Sequence, residues 1–325
     1  MSTLNDGPPF GPVVNGTMVV VFWEYRPSNI AAYVFLALFA LATLGHVLYF
    51  FWLRAWVFIP FILGGVCQVF GYLERAAAHS SPTKLGPWIL QNMLLLVSPP
   101  LLAATVYMAY GRIATALLNH GLTTTVTKSS KHRDRRNCCH SLCCTCSPTR
   151  AYVLVDVLAI FTQLIGTVLP ASGTPEAARL SKIVVVVGLV AQVVALCVFL
   201  GVGCARLHVR LLKRRREDPS SSSSSSSSLS WVIAINNRLG YLVVLEIAAG
   251  MLLVRSVVRG AEYLEGTDGG VVAGHEVFIY VFDALPMLVV MGGFLVMHPM
   301  RLVREVGRLE RVVKGAGRES VELRG

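Results

Sequence analysis

Charged residues are scarce in this sequence. Lysine, arginine, aspartate and glutamate make up 14% of the 325 residues, whereas hydrophobic residues make up 54% and the mean hydropathy is +0.61. Soluble domains carry about 25% charged residues, so this chain lacks the polar side chains that a water-exposed surface needs. The shortage of charge excludes an ordinary soluble fold and indicates an integral membrane protein.

Several motifs that carry chemistry are also missing. The sequence has no glycine-rich phosphate loop, no GxSxG nucleophile elbow and no HExxH metal motif, and the last apolar run has no central lysine for a retinal Schiff base. Residues Met1 to Thr17 lack the basic stretch of a cleavable signal peptide. We therefore expect a protein that is not an enzyme, with no cofactor, no metal and no ATP hydrolysis of its own.

Seven apolar runs are long enough to cross the hydrocarbon of a bilayer, which takes about 20 residues. Only helices satisfy every backbone polar group internally over that depth, and no run alternates as a barrel strand would. The predicted fold is therefore all-α, a polytopic bundle of seven transmembrane helices. The runs are Asn29–Phe51, Ala55–Leu73, Trp88–Tyr110, Ala151–Ala171, Ile183–Ala205, Leu239–Val258 and Val277–Met297.

The basic residues predict the orientation of this bundle. They concentrate in the connections 119–150 and 206–238 and in the tail 300–325, whereas the last connection is acidic. Lysine and arginine favour the cytoplasmic side, so segment 1–28 should lie outside and the tail should follow the transmembrane domain, 29–299, into the cytoplasm. The net charge of +11 then indicates contact with anionic membrane lipids rather than nucleic acid. The sequence does not indicate an oligomeric state.

Two features outside the apolar runs suggest modification. The triplet that begins at Asn15 matches a glycosylation acceptor and would lie outside the cytoplasm. Five cysteines share the basic third connection with His140, where the cytoplasm should keep them reduced. Their spacing is compatible with zinc, but adjacent pairs beside a membrane favour S-acylation or free thiols over metal. These cysteines are Cys138, Cys139, Cys143, Cys144 and Cys146.

Ionisable side chains inside the last two runs are candidate binding residues, because charge is costly in hydrocarbon and is usually kept there for a partner or a guest. Arg255, Arg259 and Glu262 are spaced four and three apart, which places them on one helix face. The two runs are antiparallel and closely connected, so we expect Arg255 and Arg259 to reach Asp283 or Glu276. Such pairing fixes helix register or binds a polar head group. The candidates of the seventh run are Glu276, Tyr280 and Asp283.

Further polar residues are scattered through the other runs. Asp156 and Gln163 lie seven apart on the fourth run and so share a face. With Gln192 of the fifth run, Gln68 of the second and Glu246 of the sixth, they are predicted to line a common cavity. The simpler interpretation of each glutamine is an interhelical hydrogen bond, worth about 1 kcal/mol.

Several strings also resemble a known family. They are Tyr25-Arg26-Pro27-Ser28, Gly71-Tyr72 with Arg75, Pro99-Pro100 with Tyr107, and Arg255 to Tyr263 followed by Glu276, Tyr280 and Asp283. In this order they resemble the fungal RTA-like family of lipid-translocating exporters, roughly from Tyr25 to Pro299. The resemblance implies a multi-pass plasma-membrane protein that moves amphipathic lipids such as sphingoid long-chain bases and confers resistance to lipophilic toxic compounds. The family pattern has glutamate where this chain has Gln68.

Three functions therefore stay open. The leading one is a translocator of amphipathic lipid that uses no ATP and binds the lipid head group between its last two helices, with porphyrin or heme transport as a variant that one branch of the family suggests. The second is a seven-helix receptor for lipid stress that signals through its cytoplasmic connections, because topology does not specify function. The third is an intramembrane enzyme with Asp156, Glu246 and Asp283 as acid and base groups, although no nucleophile or metal motif accompanies them.

Overall fold

The computed structural model of the chain includes, among its described residues, two short strands, seven long helices and the 3-10 segments Trp56–Phe58 and Leu169–Ser172. It describes residues 10–14, 17–20, 28–80, 84–125, 134–172, 175–207, 209, 228–265, 276–302 and 304. Strands β1 (Phe10–Val14) and β2 (Thr17–Val20) pair antiparallel. The helices are α1 (Asn29–Leu53), α2 (Ile59–Ser80), α3 (Leu85–Thr125), α4 (Asp134–Val168), α5 (Pro175–Val198, continued by the π-helical segment Phe199–Cys204), α6 (Ser228–Glu265) and α7 (Glu276–Ile279, π-helical Tyr280–Ala284 and Leu285–Val296).

Seven helices are long and apolar enough to cross a membrane, which confirms the predicted all-α bundle. The observed spans agree with the apolar runs to within several residues, as in Asn29–Leu53 and Thr149–Val168. The hairpin β1–β2 was not predicted. Helices α3, α4 and α6 also extend into the predicted connections, because a helical backbone satisfies its own hydrogen bonds beyond the apolar run. The sides of the membrane that the two termini face stay predictions.

The bundle is apolar outside and partly polar inside. Large aliphatic side chains such as Leu41, Leu158 and Val187 are exposed on its outer surface, where lipid tails would contact them. Fully buried side chains include Arg255 and Asp156. Charged and amide groups are thus kept away from the acyl chains, as the cost of charge in hydrocarbon requires.

Helix α1 contacts α7, and the segment after α7 that contains Arg304, at three levels. At the end where α1 begins, the backbone N–H of Ser28 donates to Oε1 of Glu276 at 2.7 Å. In the middle, Nε2 of His46 donates to the Met291 carbonyl at 2.9 Å. At the opposite end, Arg304 donates to the carbonyl of Leu53, one of the carbonyls that the last turn of α1 leaves unpaired. We call these contacts the α1–α7 clasp.

Close packing of α2 against α3 and of α4 against α5 depends on small residues. Ser98 of α3 donates its hydroxyl to the carbonyl of Gly64 at 2.9 Å, and a Cβ on Gly64 would overlap the side chain of Leu102. A Cβ on Gly166 of α4 would lie 3.2 Å from the Ser181 carbonyl oxygen of α5. Small residues let transmembrane helices approach closely, so these contacts fix the spacing of the bundle.

Two π-helical segments interrupt the long helices. Such segments, with one extra residue in a turn, often occur at functional sites. The segment in α7 contains Asp283 and is followed by Pro286, which has no N–H to continue the α-helical pattern. The segment in α5 begins with the buried Phe199 and contains Gly201 and Gly203. Both segments carry side chains that the candidate sites use.

Candidate functional site

A charged cluster is buried between α2, α3, α6 and α7, towards the end of the bundle where α1 begins. Three arginines and three carboxylates meet there, so their formal charges balance. We call this group the arginine cluster. Its members are Arg75 of α2, Arg255, Arg259 and Glu262 of α6, and Glu276 and Asp283 of α7.

Arg255 lies at the centre of the cluster. Its side chain is completely buried, and its Nε forms an ion pair with Asp283, whose side chain is 4% exposed. Its Nη2 donates to the backbone carbonyl of Leu95 on α3. That carbonyl is available because the residue four positions later is Pro99, which has no N–H to donate. A proline in α3 thus creates the acceptor that holds the arginine of α6.

Arg75 links the cluster to the first helix. Its Nη2 lies 3.0 Å from Oε1 of Glu276, and its Nε donates to the Tyr280 hydroxyl at 3.1 Å. The same oxygen of Glu276 accepts the backbone N–H of Ser28. The guanidinium also lies 5.1 Å from the centre of the Tyr280 ring, which is within cation–π range. Glu276 therefore joins α1, α2 and α7.

Arg259 binds within its own helix. Its Nη1 lies 2.7 Å from Oε2 of Glu262, three residues further along α6. The side chain of Arg259 is 3% exposed, while that of Glu262 is 21% exposed. This pair therefore lies at the edge of the cluster, one turn closer to the end of the bundle than Arg255.

Several buried atoms of the cluster have no hydrogen-bond partner within the described chain. They include donors on Arg255 (Nη1) and Arg259 (Nε and Nη2) and one acceptor, Oδ2 of Asp283. Unsatisfied buried polar groups cost about 1 to 3 kcal/mol each, so a native protein normally pairs them with water or a ligand. The cluster therefore offers both donors and an acceptor to a polar group that enters it.

Aromatic rings form one wall of the cluster. The ring of Tyr280 stacks on Phe35 with centroids 5.2 Å apart, and Phe35 stacks on Tyr72 at 5.8 Å. Tyr72 is fully buried, and its hydroxyl is another atom without a partner in the described part of the chain. An apolar wall beside charged groups suits a molecule with a polar head and an apolar body.

The structure divides the other predicted residues into separate groups. Nε2 of Gln163 on α4 lies 3.4 Å from Oε1 of Gln192 on α5, and Asp156 is buried two turns from Gln163 on the same face. Gln68 instead donates to the Ser98 hydroxyl at 3.0 Å, in the contact between α2 and α3. Gln68 thus forms the interhelical hydrogen bond of the simpler interpretation, whereas a cavity shared by the five polar residues stays a prediction.

The predicted pairing of the last two helices is confirmed for Arg255 and Asp283. Arg259 instead forms its ion pair with Glu262 of its own helix, and Glu276, the alternative partner, binds Arg75 of the second helix. The role of the Leu95 carbonyl was not predicted, although Pro99, four residues later in the sequence, indicates that this carbonyl lacks a helical donor. Tyr72 was also missed as a site residue.

The predicted modification residues lie outside what the structure describes. Asn15 is not among the described positions, and the same is true of the side chains of the five clustered cysteines. Glycosylation at Asn15 and acylation, metal binding or free thiols at the cysteines stay predictions. The cysteines are Cys138, Cys139, Cys143, Cys144 and Cys146.

Comparison with known proteins assigns the chain to a family. The family model described as "RTA1 like protein" matches residues 61–128 and 141–306, which include the whole arginine cluster. Protoporphyrin uptake protein 1 of Saccharomyces cerevisiae is 30% identical over 239 residues, covering 73% of this chain and 67% of the relative. Protein RTM1 of Saccharomyces cerevisiae is 30% identical over 233 residues, with 71% and 63% covered.

A third yeast relative agrees with this assignment. Protein RTA1 of Saccharomyces cerevisiae is 28% identical over 247 residues, covering 76% of this chain and 67% of the relative. The chain thus spans only about two thirds of the length of these relatives, 63% in the case of Protein RTM1. No solved structure matches it significantly. The matched residues, together with seven helices that are able to cross a membrane, make this chain a member of the RTA1-like family of multi-pass membrane proteins.

Proposed function

We propose that this protein moves an amphipathic molecule across the membrane without ATP and binds its polar head group at the arginine cluster. The observation that carries the proposal is the set of unpartnered buried donors on Arg255 and Arg259 beside the unpartnered Oδ2 of Asp283. A head group that enters would satisfy these atoms, while its apolar body would lie along the wall of Tyr72 and Tyr280.

A sphingoid long-chain base is the substrate class that we favour. Its ammonium group would donate to Oδ2 of Asp283, and its hydroxyl oxygens would accept from Nε and Nη2 of Arg259. A single head group with donors and acceptors thus complements both kinds of free atom in the cluster. Its hydrocarbon chain would stay among lipid tails, so only the polar part would need the protein.

Efflux of a labelled long-chain base from proteoliposomes tests this proposal. Arg259→Lys keeps the positive charge beside Glu262 but removes the planar array of guanidinium donors, so we expect a loss of initial flux of about tenfold, as for a lost charged hydrogen bond. Arg179→Lys is the matched control, because Arg179 is exposed on the surface of α5. Equal flux of the two variants, or no flux through the unaltered protein, would overturn the proposal. Binding of the base without flux would favour a lipid receptor.

Porphyrin uptake is a second candidate, because a relative is named for protoporphyrin uptake and the free donors of the two arginines complement carboxylates. Asp283→Asn separates the two substrates. An ammonium head group would lose its acceptor and bind less tightly, whereas a carboxylate would no longer meet a negative charge and would bind at least as well. Competition between the labelled base and protoporphyrin in both proteins measures this difference.

We also propose the plasma membrane as the location, with the amino terminus outside and the cluster in the outer leaflet. The basic third and fifth connections and the basic tail support that orientation. Protease accessibility of tags at the two termini in intact cells tests it. Digestion of the carboxyl-terminal tag alone would contradict it.

A further inference from the structure

Asp156 is buried in a different part of the bundle from the arginine cluster. It lies seven residues inside the span Thr149–Val168, so about 10 Å from the end at which α4 enters the membrane. Asp283 lies seven residues inside its own span from the opposite end, where Glu276 begins it. The two carboxyl groups therefore occupy different leaflets.

The surroundings of Asp156 differ from those of the cluster carboxylates. Asp283, Glu276 and Glu262 each face an arginine. Asp156 is 0% exposed, and neither of its side-chain oxygens has a hydrogen-bond partner within the described residues. An isolated carboxylate in such an environment costs far more than a neutral carboxyl group, which carries a proton instead.

Titratable and aromatic groups approach Asp156 from each neighbouring helix. From α3 comes Tyr107, a buried residue whose hydroxyl also has no partner among the described residues and lies within electrostatic range of Asp156. Tyr152 lies one turn earlier on α4, and its ring is 5.2 Å from that of Tyr107. From α5, Phe199 packs 4.8 Å from Tyr107. Among the described residues, Asp156 forms no ion pair, and aromatic rings surround it.

A series of polar groups connects this region with the nearer end of the bundle. The Tyr152 side chain is within electrostatic range of Arg206, which is exposed, and of Cys204. The Cys204 thiol forms a hydrogen bond with Glu246 of α6. Groups that exchange protons are thus present on three helices between Asp156 and the aqueous phase. Proton relays in membrane proteins use buried carboxyl groups placed in this way.

From this arrangement we propose that Asp156 is a proton-binding site, and that its proton is exchanged as the protein moves its substrate. The carboxyl group takes one proton from water at the end of the bundle that contains Arg206 and returns one proton to water when the conformation changes. A proton is the ligand that fits, because it needs no cavity and because Asp156 is, within the described residues, the one buried carboxylate without an arginine ion pair. The coupling to transport, but not the proton site itself, rests on the proposed function.

Infrared difference spectroscopy of the membrane-embedded full chain tests the site directly. The C=O stretch of a protonated carboxyl group that shifts between H2O and D2O is expected in the unaltered protein. In Asp156→Asn the band should lose the intensity of one carboxyl group. In Asp156→Glu the band should persist at a shifted frequency. Glu176→Gln removes an exposed carboxylate of α5 and should change nothing in this band. The proposed proton site would be overturned if the unaltered protein lacks this band, or if the band has the same intensity in Asp156→Asn as in the unaltered protein.

Flux under an imposed pH gradient tests the coupling separately. The gradient should change the initial rate of base efflux severalfold in the unaltered protein and in Glu176→Gln, but not in Asp156→Asn. An unaltered protein whose flux ignores the gradient would overturn the coupling. Absence of all flux would refute the proposed function while the infrared band still decides the proton site.

Discussion

Replacing only one residue of the ion pair between Arg255 and Asp283 should destabilise the protein far more than replacing both. Both side chains are nearly inaccessible, with exposures of 0% and 4%. Removal of one partner leaves the other charge buried and unpaired, so Arg255→Met and Asp283→Val should each lower the free energy of unfolding by about 3 to 5 kcal/mol. Independent effects would add to about 6 to 10 kcal/mol in the double variant.

The double variant should instead lose only about 1 to 3 kcal/mol. Neither of the two charges is left unpaired in it, and replacement of a buried ion pair by apolar residues is often neutral. The remaining cost is the Leu95 carbonyl, which loses its donor and has no helical partner because Pro99 follows it. The expected coupling energy is therefore at least about 3 kcal/mol.

Unfolding by SDS titration in mixed micelles measures the four proteins of this cycle. Arg304→Met is the control, because exposed Arg304 also donates to a backbone carbonyl but has no carboxylate partner in the described chain. Its effect should be below about 1 kcal/mol and additive with Asp283→Val. Additivity of Arg255→Met with Asp283→Val would refute the reasoning, since it would mean that the two side chains do not form a buried pair.

Three further substitutions test other contacts. Glu276→Gln removes the carboxylate that holds the fully buried Arg75; because Glu276 itself is 20% exposed, SDS titration should show a smaller loss than for Asp283→Val, about 1 to 3 kcal/mol. Pro99→Ala supplies a backbone N–H that can donate to the Leu95 carbonyl and displace the Arg255 guanidinium from it. The flux of the long-chain base should then fall, while the free energy of unfolding should not change. Gly166→Leu forces a side chain against α5 and should cost about 1 to 3 kcal/mol, whereas Gly250→Leu, which meets nothing within 4 Å, should cost less than half of that.

Hydropathy was sufficient to predict the seven spans, because a bilayer imposes one length and one polarity on every helix that crosses it. Residue spacing likewise predicted which side chains share a face of α6. Since α6 and α7 are neighbours in the chain and in space, the pairing of Arg255 with Asp283 was one of the few that spacing allowed. These successes all concern a single helix or two consecutive ones.

Contacts between helices that are distant in the chain were not predictable in this way. The partner of Glu276 is Arg75, which lies 201 residues earlier, and Gln68 meets Ser98 rather than Asp156. Helical periodicity gives the direction of a side chain around its own axis, but it does not give the neighbour in that direction. The neighbour depends on how the helices pack, because small residues such as Gly64 let the backbones of two helices come close together.

The α1–α7 clasp determines which parts of the bundle are able to separate. Contacts at both ends and in the middle join the first transmembrane helix to the last one and to Arg304 just after it. These two helices are thus held together although they are the most distant helices in the sequence. We therefore expect the proposed transport to keep α1 and α7 together and to open between other helices. A crosslink between α1 and α7 should leave that transport intact.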